Sequence, residues 1–278
     1  MAKVQCMGIL NSLFGNGISE ALQEQITQKL KTCSDPTSKQ SLESLNAISE
    51  LQLKKGVLGL KISMPYPCKS LWPSIEQNVK HELLQITEIE SVNIELETKV
   101  VSHDAQKGVS PLPNIKNIIA IASGKGGVGK STTSVNIALA LQQEGATVGL
   151  LDADIYGPSI PTMLNINEKP ESIDGKSMQP LSAYGLQTMS IGALIEEDSP
   201  MIWRGPIVTQ TLTQLLKETN WDDLDYLVID LPPGTGDVQL TLSQQIPVTG
   251  AVIVTTPQQV SLIDAKKGLK MFEKVIID

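Results

Sequence analysis

Eight residues in one run hold the clearest chemistry in this chain: Gly124, Lys125, Gly126, Gly127, Val128, Gly129, Lys130 and Ser131. They fit the spacing GxxxxGK[ST], which joins an amide-rich loop to an ammonium and a hydroxyl. Glycines let the backbone curl with its N–H groups turned inward, and a helix opening at the end of the loop adds positive potential. Such a cradle suits the phosphates of ATP. Lys130 is expected at the β- and γ-phosphates and Ser131 at a Mg²⁺ ion, with Thr132 among the residues that bind the nucleotide. Three carboxylates join this set. Asp152 and Asp154 follow the apolar run 147–151, and Asp230 ends the run DYLVID. A carboxylate at the carboxyl end of a parallel strand lies on the ligand face of such a sheet. Asp230 is expected to hold Mg²⁺. Gly234, in LPPGTGD, is expected to offer its N–H to the γ-phosphate, a contact whose loss on hydrolysis would release the loop. Turn or cap roles stay open for Asp152, Asp154 and Asp237.

The elements that must position these groups read as α/β. Apolar runs at 117–122, 147–151, 186–191, 225–229 and 250–255 alternate with helical patterns at 131–143, 205–218, 238–245 and 259–275. Strands that are nearly all apolar suit a parallel sheet with helices on both faces. The insert 165–185 contains Asp174-Gly175, a hairpin-turn pair. Residues 1–104 have a different grammar. Ile18, Leu22, Ile26 and Leu30 share a helical face behind Ser19, a cap residue. Residues 56–63 and 91–98 alternate as strands, and 74–86 repeats as a helix. The order α–(α)–β–α–β predicts a small α+β domain, joined by a linker at 105–116 to a second domain over 117–278. Leu212, Leu215 and Leu216 are expected in its core.

Lys125 extends the comparison beyond a single loop. KGGxGK[ST] resembles the deviant Walker A motif of the MinD/ParA/nitrogenase-iron-protein class, and the run ending at Asp230 resembles Walker B. The strings DADIYGPSIP, DGKSMQP, MSIG, WRGPIV, DYLVIDLPPGTGDVQLTLSQ and TTPQQVSLIDAKKG resemble the Mrp/ApbC group within that class. Residues 1–104 are similar to the small domain that precedes the ATPase in many of its members. The resemblance implies a homodimer in which Lys125 reaches across to the partner's nucleotide. Catalysis then falls to Lys125, Lys130 and Asp154, the last orienting the attacking water, while Asp152 lies near Mg²⁺. Hydrolysis should be slow and dimer-dependent. The family function is to bind a [4Fe–4S] cluster and transfer it to apoproteins. Its members carry a CxxC beyond the last helix read here, so 117–278 is expected to be C-terminally incomplete. Cys68, in the turn Met64-Pro65-Tyr66-Pro67-Cys68-Lys69-Ser70, is the one thiol in a motif of the family and the candidate iron–sulfur ligand; a buried apolar cysteine is the alternative. A MinD/ParA-like switch without cluster chemistry and a non-hydrolysing scaffold are the competing functions.

Composition narrows the partners. The 278 residues carry 22 Lys and Arg against 30 Asp and Glu, with no basic cluster, which argues against nucleic acid. No apolar run is long enough for a membrane span. Three cysteines, Cys6, Cys33 and Cys68, make no disulfide framework and suit a reducing cytoplasm. Cys6 and Cys33 read as incidental thiols, and His81 and His103 as solvated side chains. Trp203-Arg204 fits either a docking surface or plain packing.

Overall fold

A computed structural model of the chain describes residues 18–103, 109–155, 157–194, 205–234 and 237–276. It divides into two compact units between Val100 and Val101.

In the first unit, α1 (Glu20–Thr32) starts behind Ser19, whose Oγ accepts from Leu22 N–H at 3.4 Å. Leu22, Ile26 and Leu30 recur at i, i+4 and are all buried. Strand β1 (Ile48–Lys54) turns through Lys55-Gly56, both at positive φ, into β2 (Val57–Met64). That two-residue turn matches the twist of an antiparallel pair. Helix α2 (Trp72–Leu83) opens with Pro73 and buries Ile75, Val79 and Leu83. It leads to β3 (Ser91–Thr98), which lies parallel to β2. Leu58, Leu60, Ile62 and Val92 from the sheet pack with the two helical faces into one core. Strand β1 stands where the reading left room for a second helix.

The second unit is built on six strands. In chain order these are β4 (Ile115–Ser123), β5 (Val148–Asp152), β6 (Leu181–Ala183), β7 (Leu186–Ser190), β8 (Leu224–Asp230) and β9 (Gly250–Val254). Their order across the sheet is β6-β7-β5-β8-β4-β9, all parallel except β6. Helices α3 (Lys130–Gln143), α4 (Ile160–Met163), α5 (Gly205–Glu218), α6 (Asp237–Gln245) and α7 (Gln259–Ile276) supply the crossovers. Successive residues of a strand point to opposite faces, and the packing follows that period. Ile118, Ala120, Leu227 and Ile229 meet Leu212, Leu215 and Leu216 of α5, Leu242 of α6 and Phe272 of α7. Ile121, Leu150 and Val228 meet Val135 and Ala138 of α3 on the other face. Helices thus cover both faces, and each buried Leu or Ile contributes roughly 1.5–3 kcal/mol.

Two details differ from the sequence reading. The hairpin turn of the insert is Tyr184-Gly185, both at positive φ, where β6 meets β7. Asp174 instead holds a local loop, its Oδ1 accepting from Lys176 and Ser177 N–H at 2.9 and 2.6 Å. Strand β4 begins at Ile115, inside the stretch read as linker. Lys116 is drawn into that strand by its ion pair with Asp225, at 2.7 Å.

Candidate functional site

Strand β4, between β8 and β9, delivers its last residue, Ser123, to the glycine loop. Ser123 Oγ donates to Lys125 C=O at 2.9 Å, tying down the first bend. Gly127 and Gly129 lie at φ 75° and 88°, a region that side chains disfavour, so the curl depends on glycine there. Gly129 is the residue before α3 and provides no side-chain cap. The first amides of α3 are therefore open to an anion. Gly124 packs against α7: a Cβ there would fall 2.6 Å from Asp264 Cβ. Gly126 and Val128 complete the loop, and Thr132 is exposed one turn into α3.

Register brings the carboxylates together. Asp152 on β5 is paired in register with Asp230 on β8 and with Ser190 on β7. Asp230 is fully buried. Its Oδ2 accepts from Ser131 Oγ at 2.6 Å and lies 2.8 Å from Lys130 Nζ. Lys130, 6% exposed, also stands 3.4 Å from Asp154 Oδ2. Three other predicted residues, Ser131, Asp154 and Asp230, therefore gather around the head of Lys130.

Asp152 behaves differently. Its Oδ1 accepts from Asp154 N–H at 3.2 Å, and its Oδ2 accepts from Ile160 N–H at 3.1 Å. Ser190 Oγ donates to the same Oδ2 at 3.4 Å. The side chain thus closes the loop between β5 and α4. Burial pushes its pKa up from 3.8 to about 7; the Ile160 amide opposes that rise and the charge of Asp230 adds to it. Gly234 N–H donates to Ser123 C=O at 2.8 Å, so reaching a γ-phosphate requires that bond to break.

Lys125 folds back on its own chain, its Nζ 3.8 Å from Asp264 Oδ2 on α7. Sequence reasoning missed that partner, and it missed Ser134, Ser190 and Ser123. Ser134 was accessible to it: three residues after Ser131, it lies on the same face of α3.

The donors suit Mg²⁺. Ser131 Oγ and Asp230 Oδ2 are hard oxygens, and the Lys130 ammonium now supplies positive charge where a divalent ion would. Iron–sulfur ligation is a different case. Cys68 is 2% exposed, within the core of the first unit. Among the described residues no three His, Cys, Asp or Glu are grouped to hold a metal ion. Those residues do not form a cluster cradle. Cys33 is a core residue, its Sγ donating to Lys29 C=O at 3.4 Å. His81 and His103 are exposed. Cys6, Trp203-Arg204 and the side chain of Asp237 lie outside the described residues.

A mostly parallel sheet in which one strand runs into an amide-lined loop, with lysine, hydroxyl and strand-end carboxylates behind it, defines a P-loop NTPase. The chain belongs to the NUBPL iron-transfer P-loop NTPase family, whose model matches residues 114–278, and residues 23–96 match the iron-sulfur cluster assembly protein family. The iron-sulfur cluster carrier protein of Escherichia coli (strain K12) is 50% identical over 257 residues, 92% of this chain and 70% of that protein. The iron-sulfur cluster transfer protein NUBPL of Mus musculus is 52% identical over 180 residues, 64% of this chain and 56% of that protein. Among solved structures, a nucleotide-binding protein from Archaeoglobus fulgidus in complex with ADP superposes with a TM-score of 0.51 at 38% identity, covering 58% of this chain and 63% of that one.

Proposed function

We propose that this chain binds and hydrolyses ATP and carries iron–sulfur clusters to acceptor apoproteins, acting as a homodimer. The cluster is cargo, and a cluster carrier at 50% identity supports that part. A reducing cytoplasm is the compartment that fits, and none of the described helices is long and apolar enough to cross a membrane. The observation that carries the ATPase part is the convergence of Lys130, Ser131, Asp154 and Asp230 behind the open amides of α3.

The chemistry follows from what each group must do. ATP enters with its terminal phosphates against the loop amides, where no side chain competes. Lys130 then turns from the carboxylates to the β- and γ-oxygens, exchanging one pair of anions for another. Mg²⁺ held by Ser131 and Asp230 would offset the charge of the phosphates. Asp154, no longer paired with Lys130, then holds a water in line with the γ-phosphate. Lys125 leaves Asp264 and reaches the partner's nucleotide, where a cation stabilises charge developing on the transferred group. Each protomer is slow alone because its own Lys125 serves the partner's nucleotide and not its own.

Titration calorimetry with Mg²⁺ and ATP tests the reading. The folded chain should release heat, and Lys130→Ala should abolish both heat and turnover. No heat with the unmutated chain would end the ATPase reading. Turnover per protomer should rise with protein concentration and lose that rise in Lys125→Ala. Anaerobic transfer of a preassembled cluster to an apoprotein, with and without ATP, tests the cargo.

A further inference from the structure

We infer that Ser134 is a positioning residue that orients the Asp230 carboxylate for its divalent cation. The inference rests on the Mg²⁺–ATP reading above and names a residue that motif reasoning leaves out. Ser134 lies on α3 and is fully buried, and Val135 and Ala138 of the same helix are buried too. Its Oγ is 2.7 Å from Asp230 Oδ1 and 3.1 Å from Lys130 C=O. A hydroxyl has one proton to give. The shorter contact is to an anion, and a charge-assisted hydrogen bond outweighs one to a neutral carbonyl.

A serine here is otherwise unfavourable. Alanine is the better helix former, and a buried hydroxyl costs free energy unless it is bonded. The benefit falls on Asp230. Both of its oxygens are out of solvent, and each needs a donor. Oδ2 is taken by Ser131 and Lys130, which leaves Oδ1 to Ser134. With Oδ1 held, the carboxylate plane cannot turn about its Cβ–Cγ bond, and Oδ2 stays aimed at Ser131 and the cation position. Without Ser134, Oδ1 would be a buried acceptor lacking its donor. The carboxylate would rotate to share its two remaining donors, and the alignment with Ser131 would be lost.

Ser134→Ala should therefore weaken cation binding at the site and leave the phosphate cradle intact. The measurement is binding of a fluorescent ADP analogue at rising Mg²⁺, repeated in EDTA, with Mn²⁺ binding followed separately by electron paramagnetic resonance. We expect the Mg²⁺ and Mn²⁺ midpoints to rise by roughly 10-fold, within the range for residues that orient metal ligands. Cation-free affinity should be unchanged. Ser134→Thr keeps the hydroxyl and should stay near the unmutated midpoints. Identical cation midpoints in Ser134→Ala would overturn the inference, as would an equal loss of binding with and without Mg²⁺. A Ser134→Thr protein that melts normally yet behaves like Ser134→Ala would also overturn it. Failure of the unmutated chain to bind nucleotide in Mg²⁺ would sink the ATPase reading itself, which separates the two.

Discussion

Lys130 sits among acids that have little water to screen them. Asp230 is fully buried, and Asp152 is paired with it in register on the neighbouring strand. Lys130→Met keeps the chain length and removes the charge. It should cost the ligand-free protein on the order of 3 kcal/mol, the penalty for leaving a buried partner uncompensated; urea unfolding measures it. Asp152 sets a pH dependence whose sign is opposite to that of an ordinary salt-bridged acid. Its folded pKa is raised, from 3.8 to about 7, so its contribution is complete below 3.8 and is lost as pH rises through 7. In EDTA the chain should therefore unfold at less urea at about pH 8 than at about pH 5.5. Asp152→Asn should flatten that difference; an unchanged slope would assign it to another group. Cys33 is the second raised group. Burial first, and then the charge of Glu82, lift its thiol from 9.0 to about 11. Alkylation at about pH 8 should spare Cys33 in the folded chain and reach it only on unfolding.

Strands set the precision with which these residues meet. Strand β5 ends in Asp152, and Gly149 lies three residues earlier against side chains of β8. A Cβ on Gly149 would come 2.5 Å from Leu224 Cδ1 and 2.9 Å from Leu227 Cδ1. Gly149→Ala should therefore cost about 1–3 kcal/mol by overpacking. It should also weaken Mg²⁺–ATP binding, because shifting β5 moves Asp152 and the loop to α4. Full stability with reduced binding would mean that the strand, and not its packing, was disturbed. The first unit shows the limit of pattern reading at this scale. Leu42, Leu45, Ile48 and Leu51 recur every three residues among Ser, Glu and Asn, a helix-like spacing. Residues 48–54 nevertheless form β1, because pairing with β2 across Lys55-Gly56 satisfies their backbone groups and buries Leu51.

Each unit of the whole chain has its own core. Among the described residues, none of the first unit's core belongs to either core of the second. Two calorimetric transitions are therefore expected, and Mg²⁺–ATP should raise only the one belonging to residues 101–278. A single transition that moves as a whole with nucleotide would contradict this. The sheet also explains why the chemistry gathers at one end. Strands β5, β8 and β4 run parallel and adjacent, so Asp152, Asp230 and the glycine loop after Ser123 all emerge from the same edge.

The sequence by itself determined the glycine loop, its lysine and serine, and the apolar runs that end in Asp152 and Asp230. These are local facts: a loop geometry that needs glycine, and strands that need two buried faces. It also contained the likeness to a family, in strings too long to recur by chance. Only the tertiary structure decided which acid does what. Asp152 and Asp230 look alike in sequence, each an aspartate at the end of an apolar run. One closes a loop through backbone amides and the other faces Ser131, because their surroundings come from β7 and α4 in one case and from α3 in the other. The partners of Lys125 and Ser134 lie 139 and 96 residues away along the chain. No periodicity reports such distances; the crossovers that wind the sheet bring them together.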